Sequence, residues 1–423
     1  MTADKALNYI LIIVVLLTVL FPVGAYLGVL AVFIAAIYAR RSRQVLSELA
    51  SDNALLLMVS AFLLSCLFSR DRLMSAGALM LLGLNLGLYL VLVVELKRNG
   101  FVNYRRVLDI GCTLVCLYGI WQYASGNLVM PESWVDKSSY GNIARIYSTL
   151  LNPNILAAYL VMNLSLGISR LISTGRERLL VLNLLLASVC LLLTYSRGGF
   201  GAFFVSMLVL ILLCSRKKSI MIYTTVMSAA FILMNTGGTA SRIALSAVYV
   251  DSSSLYRIEI WKAAFNMFLA YPLLGYGPGT TWYYLSSSSD KLSSYILHSH
   301  NIYLQVAAEL GITGLSAFAY LLFRKISDGL RLPRESMTME EKGVVYGFAA
   351  AFAGVVAHGL IDAVVFVPAL SLILVSYAAV YGSVLSVYSP LLSLKGEGIF
   401  QLLGSKGSGK QKYKEKEADT CEA

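Results

Sequence analysis

The chain has 423 residues, of which 58% are hydrophobic and only 13% charged, with a mean hydropathy of +0.72. That much apolar surface cannot be hidden in one water-soluble core, which excludes a soluble globular protein and implies a polytopic membrane protein. The net charge of +11 falls in short basic clusters between apolar runs, a pattern that orients spans in a bilayer rather than one that binds nucleic acid.

Taken in chain order, apolar runs long enough to cross roughly 30 Å of hydrocarbon give about twelve helices, some of them short. Their approximate bounds are 8–22, 24–39, 53–68, 74–95, 106–123, 152–170, 178–195, 199–214, 219–235, 300–323, 343–361 and 367–388. The first run is too long for a signal peptide and reads as two short spans. The fold class is therefore all-α, a polytopic bundle of membrane helices. Residues 1–235 hold spans one to nine, 236–299 form a long polar loop, 300–390 hold the last three spans, and 391–423 are a basic tail. Arg40, Arg41 and Arg43, then Lys97, Arg98, Arg105 and Arg106, then Arg170, Arg176 and Arg178, then Arg216, Lys217 and Lys218 fall in alternate loops. Arg324, Lys325, Arg331, Arg334 and the tail follow the same alternation, which makes these loops and both termini cytoplasmic.

Two long loops then face outward, residues 124–151 and 236–299. The second has an amphipathic stretch from Tyr256 to Leu269 followed by the turn-rich YPLLGYGPGTT, so a helix and then a Gly/Pro-shaped loop are expected there. The tail carries GSKGSGKQ, part of a phosphate-loop pattern, but it ends in Gln411 with no strand before it and reads as a disordered low-complexity extension. The six cysteines are scattered without paired spacing, so no zinc site or disulfide framework is expected, and no acidic metal motif lies on the outer face.

The outward segments hold Arg145, Arg197, Arg242 and Arg257, against the inside preference for positive charge, and something anionic outside would explain them. Arg197 sits in TYSRGGFGAFF between two apolar spans, and a guanidinium offers a pyrophosphate planar, bidentate donors. The alternative for Arg197 is an interfacial residue bonding headgroups or loop carbonyls; for Arg257 it is a member of a solvated helix face with Glu259 and Lys262. All three histidines, His298, His300 and His358, lie on the outer side. A neutral histidine can take a hydroxyl proton as a general base, whereas His358 beside Asp362 reads as a polar clasp between helices.

These pieces resemble the superfamily of O-antigen ligases and polymerases, bacterial membrane glycosyltransferases. HNIYLQVAAELGITG fits the ligase pattern H-[NSQ]-x9-G-x-x-G through His300, Asn301, Gly311 and Gly314. The RGG turn at Arg197, the stretch from Arg257 to Gly279, and RIYSTLLNPN from Arg145 look like the family in order and sidedness. The resemblance implies a GT-C-like bundle in the bacterial cytoplasmic membrane, with a partly helical extracytoplasmic loop over a lateral, lipid-accessible cavity. It implies transfer of a glycan from undecaprenyl pyrophosphate to an acceptor hydroxyl at the outer face, inverting the anomeric carbon without metal, nucleotide or other cofactor. His300 would be the base and Arg197 and Arg257 the pyrophosphate ligands, with Arg145, Arg242, His298, Asn301 and Glu309 as possible neighbours. The acceptor could be a glycan, lipid or protein, in lipopolysaccharide or another cell-envelope polymer. A polymerase of lipid-linked repeat units stays open within the family, and a transporter or flippase of lipid-linked glycan is the alternative from another class; the latter needs midplane polar groups and an internal repeat, and neither is clear.

Overall fold

In the computed structural model, described for residues 2–126, 128, 145–175, 177–236, 252–287 and 298–404, the architecture is all-α, with no strand among the described residues. The helices are α1 (Ala3–Leu20), α2 (Pro22–Tyr38), α3 (Ser42–Ala50), α4 (Asn53–Leu67), α5 (Arg72–Asn99), α6 (Val102–Ala124), α7 (Pro153–Thr174), α8 (Arg178–Leu193), α9 (Arg197–Leu213) and α10 (Lys217–Thr236). They continue with α11 (Ser252–Ala270), α12 (Thr281–Ser287), α13 (Ile302–Arg331), α14 (Met339–His358) and α15 (Pro368–Gly404).

Each of the twelve apolar runs coincides with one helix, and the chain is a polytopic membrane protein. By length and composition, α1, α5, α6, α7, α13 and the Pro368–Tyr388 part of α15 are each able to cross a membrane, and α2 with α3 forms a pair bent by 106°. Among the described residues six helices, or seven spans with the bent pair, are thus long and apolar enough to cross by these measures, and the others include the short helices that the sequence suggests. Helices α4, α8 and α9 have 15, 16 and 17 residues, and at 1.5 Å rise per residue they fall short of roughly 30 Å. At the carboxyl end α15 runs to Gly404, past residue 390 where the sequence reading begins the tail. Arg176, Arg242 and the tail motif lie outside the described residues.

The buried centre is α7, which α14 and α9 pack along; α6 and α8 flank it, α1 packs on α2 and α6, and α15 lies against α5. The reason is compositional: from Ile155 to Leu164 every residue of α7 is buried, including Tyr159 at full burial, so this helix is apolar all round. α13 and α11 form a satellite layer with α4.

The two ends of the bundle differ in charge chemistry. At one end Arg41 bonds Glu95 and Asp4 at 2.5 and 2.6 Å, Arg105 bonds Glu340 at 3.0 Å, Arg170 bonds Asp109 at 2.7 Å, and Lys97 and Lys325 pair with Glu48 and Asp52. Arg170 and Asn154 share helix α7, sixteen residues or about 24 Å apart, so Asn154 marks the opposite end. The histidines gather there.

The membrane helix of the His300 motif is broken. Gly311 has φ 64° and ψ −163°, which divides α13. A Cβ at Gly311 would sit 2.3 Å from the carbonyl oxygen of Leu273, and one at Gly275 would meet the Glu309 carbonyl at the same distance. Backbone groups on both sides of the break pair with the Pro272–Gly277 turn. Tyr276 and Gly277 N–H donate to the carbonyls of Ala308 and Glu309 at 2.9 and 3.0 Å, and Ile312 and Thr313 N–H donate to those of Pro272 and Leu273 at 2.8 and 3.3 Å.

Candidate active site

Three chain segments converge on the Asp362 carboxylate. One is the start of α7, where the Asn152 side chain caps the helix by accepting from the N–H groups of Asn154 and Ile155, with Pro153 at the first position. That cap fixes Asn154, whose Nδ2 donates to Asp362 Oδ2 at 3.0 Å. The second is the entry to α13. Asn301 caps that helix by accepting from Tyr303 and Leu304 N–H, both at 2.9 Å, and its own amide donates to the Leu360 carbonyl at 3.0 Å. The third is the turn after α14, joined to α13 through Ile302 N–H and the Gly359 carbonyl at 2.7 Å.

This clamp sets His300. Its φ of 51° is left-handed, a conformation in which histidine is enriched and which often marks functional positions. The turn brings His300 Nδ1 to 3.2 Å from Asp362 Oδ1, and the Trp261 indole N–H on α11 donates to the His300 carbonyl at 3.3 Å. With Nδ1–H given to the carboxylate, the neutral ring keeps its lone pair on Nε2, and the side chain is 30% exposed.

Asp362 is almost fully buried. Burial alone would raise its pKa, but the hydrogen bond and charge of His300 and the charges of His298 and His358 outweigh this and hold it below the ordinary carboxylate range. It is therefore ionised wherever the protein is folded near neutral pH. Asn154 is oriented by its other partners: Arg145 Nη2 and Ser196 Oγ donate to its Oδ1 at 3.1 and 2.9 Å, while Arg145 Nε holds the Thr194 carbonyl at 2.8 Å. An arginine only donates, so Asn154 must present its oxygen to Arg145 and its amide to Asp362. Donation converges on Asp362, from Arg145 through Asn154 on one side and from His300 on the other.

Arg197 is the exposed first residue of α9, directly after Ser196, which caps that helix by accepting from Gly199 N–H at 3.1 Å. Gly198 lets this helix start lie against the α14 turn, since a Cβ there would come within 2.7 Å of Ile361 and 3.2 Å of His358 Nε2. Arg257, partly buried on α11, is near enough for its charge to act on His298. Arg145, Arg197, Arg257, His298, His300 and Asn301 are thus at one end of the bundle. Arg242 and the bordering segments 237–251 and 288–297 lie outside the described residues.

Two sequence expectations change. The clasp between His358 and Asp362 is not the pairing found: the carboxylate is committed to His300 and Asn154, and His358 Nδ1 has no hydrogen-bond partner among the described residues. The i, i+4 spacing suggested the wrong histidine. Glu309 belongs to a separate buried knot, accepting from Thr281 Oγ1 at 2.5 Å and Gln305 Nε2 at 2.8 Å, and reaches the histidine loop only through Gln305 Oε1, which accepts from Ser299 N–H at 2.8 Å. It ties the Gly/Pro turn to α13. Asp362 and Asn154 were missed as site residues, although Asp362 is the sole carboxylate between Glu341 and Glu397 and Asn154 closes RIYSTLLNPN.

His298, His300 and Asp362 also bring one ligand atom each within 4.8 Å of one another, compact enough to hold a divalent ion. Here these atoms are tied to one another and to Asn154 by hydrogen bonds: His298 Nδ1 accepts from His300 N–H at 3.3 Å, and both oxygens of Asp362 accept hydrogen bonds. The donor set suits a hydrogen-bonded base as it stands. Burial first, then the neighbouring His300 and Arg257, lowers the His298 pKa from 6.5 to about 4. A folded pKa below the unfolded one means that protons bind the unfolded chain preferentially, so stability present above pH 6.5 is lost as pH falls towards 4. In detergent, the unfolding midpoint should fall across that window, and the fall should be smaller in His298→Gln.

Residues 182–319 match the family model for O-antigen ligase. That match covers about a third of the chain, and over it the chain is similar to the O-antigen ligase family. The match takes in Arg197, Arg257, His298, His300 and Asn301, while Arg145, Asn154 and Asp362 lie outside it. Among curated proteins, the chain is 34% identical over 83 residues to a protein from Rickettsia typhi, covering 18% of the chain and 20% of that relative. It is 26% and 25% identical over 205 residues to proteins from Rickettsia conorii and Rickettsia felis, covering 45% of the chain and 50% of each relative. All three are provisionally named polysaccharide ligases, and the chain spans half or less of their length in these matches.

Proposed function

We propose that this protein transfers a glycan from undecaprenyl pyrophosphate to an acceptor hydroxyl at the outer face of the cytoplasmic membrane, as a polysaccharide ligase. The observation that carries the reading is the set of hydrogen bonds onto Asp362, from Arg145 through Asn154 and from His300, which orients a part-exposed His300 side chain at the end of the bundle that also holds Arg197 and Arg257. His300 Nε2 takes the proton of the acceptor hydroxyl as its oxygen attacks the anomeric carbon. The bond from that carbon to the pyrophosphate oxygen breaks, the electron pair leaves with the lipid pyrophosphate, and the configuration inverts. Asp362 stabilises the imidazolium that forms. Arg197 and Arg257 meet the negative charge growing on the leaving group, where fixed cations act most strongly.

The ligase names of the relatives favour a terminal acceptor over a growing lipid-linked chain. A reconstitution tests the reading: purified protein in vesicles with undecaprenyl-pyrophosphate-linked glycan and acceptor should form the product with a metal chelator present, and loss of product on chelation would sink the metal-free mechanism. In the same assay Arg197→Lys should lower turnover about tenfold or more, because an ammonium cannot supply the paired donors of a guanidinium. Unchanged turnover would remove Arg197 from the pyrophosphate site.

A further inference from the structure

At the end of the bundle remote from His300, an apolar crevice of about 230 Å³ opens between α7, α8 and α10. Its walls are the last turns of α7 (Ile168, Ile172), the second and third turns of α8 (Leu184, Leu185) and the first turns of α10 (Ile220, Tyr223). The polar groups at its margin satisfy each other, with Ser188 Oγ and Tyr223 OH 2.7 Å apart. Nothing in this lining would select a polar ligand.

The rim is different. Arg178 opens α8, Arg216 precedes α10, and Lys217 and Lys218 begin it; all four are exposed. Elsewhere at this end Arg41, Lys97, Arg105, Arg170 and Lys325 are each paired with carboxylates. Among the described residues none of the four rim cations forms an ion pair, and the nearby Glu177 is engaged by Arg170 at 3.3 Å. Two helix N-termini also meet at the rim, and no side chain caps that of α8.

We propose that this crevice binds an anionic phospholipid of the cytoplasmic leaflet, with an acyl chain between α7, α8 and α10 and its phosphate on Arg178, Arg216, Lys217 and Lys218. A slot without polar demand beneath a cluster of unpaired cations matches an amphiphile with one apolar limb and one negative head. A zwitterionic lipid fits the slot but cancels its charge at the rim. A basic pocket between membrane helices on the cytoplasmic side is the expected physical form of such a site. The site is independent of the glycan-transfer reading, because it shares no residue with the histidine cluster.

The test uses the full-length protein, purified and stripped of lipid, with dioleoyl phosphatidylglycerol, dioleoyl phosphatidylethanolamine and inorganic phosphate as separate probes. Retained lipid is counted by native mass spectrometry and the unfolding midpoint is recorded. The wild type should retain phosphatidylglycerol at least about tenfold over phosphatidylethanolamine, and phosphate alone should not shift the midpoint. Each basic residue near a membrane surface contributes about fivefold. Arg216→Gln with Lys217→Gln and Lys218→Gln, all on the surface, should therefore erase the preference while the protein still folds. Leu184→Trp, which fills the slot, should lose retention with the cations intact. Equal retention of the two lipids by the wild type, stabilisation by phosphate alone, or undiminished phosphatidylglycerol retention in the charge variant would overturn the proposal.

Discussion

Asp362→Asn is expected to lower glycan transfer by about 10²–10⁴-fold while leaving the protein folded. The size of the effect comes from the direction of the hydrogen bonds. Arg145 fixes the oxygen of Asn154, so the Asn154 amide must donate towards position 362. An amide introduced there has to accept with its oxygen and present its NH2 group to His300. His300 would then accept at Nδ1 and carry its proton on Nε2, leaving no lone pair for the acceptor hydroxyl. The imidazolium would also lose its counter-charge. Shape and volume hardly change, so unfolding midpoints of wild type and variant should agree within a few degrees. Turnover is measured with the reconstituted protein; a variant with wild-type turnover would show that Asp362 does not orient the base.

The second large effect falls on the fold. Gly311→Val is expected to abolish recovery of folded protein, a loss of more than about 3 kcal/mol. At φ 64° and ψ −163° the backbone is in a region open essentially to glycine alone. A Cβ there would also lie 2.3 Å from the Leu273 carbonyl oxygen, which is held by the N–H of Thr313 and cannot retreat without unpairing it. Size-exclusion chromatography of detergent extracts reads the outcome. A monodisperse peak at wild-type yield would mean that the turn over 272–277 does not depend on the break in α13. Gly201→Ala is the control, since a Cβ at Gly201 meets nothing within 4 Å.

The helices were readable from sequence because a bilayer demands long apolar runs with internally bonded backbone, and that demand is written residue by residue. What was not readable is how those runs end and meet. Residues 300–323 look like one apolar span, yet Gly311 divides the helix because a turn thirty-five residues earlier inserts its own donors and acceptors. Helix α15 continues through the glycine- and charge-bearing stretch Lys395–Gly398 to Gly404, where composition suggests a tail.

The site was legible in part for the same reason. His300, Arg197 and Arg257 stand out because ionisable groups are rare beside apolar spans. Of the four motif residues, the proposed reaction uses only His300; Asn301 caps α13, Gly311 breaks it, and Gly314 packs where a Cβ would strike Leu310. The partner of His300 lies sixty-two residues away, and spacing cannot reveal a contact made by a tertiary turn. Asn154 is quieter still, since its importance lies in three hydrogen bonds to side chains from three other segments.

The most direct test of the account is a strain lacking this gene, complemented with wild type or with His300→Ala, with lipid-linked and surface glycans resolved on gels. Full-length glycan should accumulate on its lipid carrier in the deletion and in the His300→Ala strain, with wild type restoring the surface product. Restoration by His300→Ala would contradict the assigned base, and accumulation of single repeat units would replace the ligase reading with a polymerase.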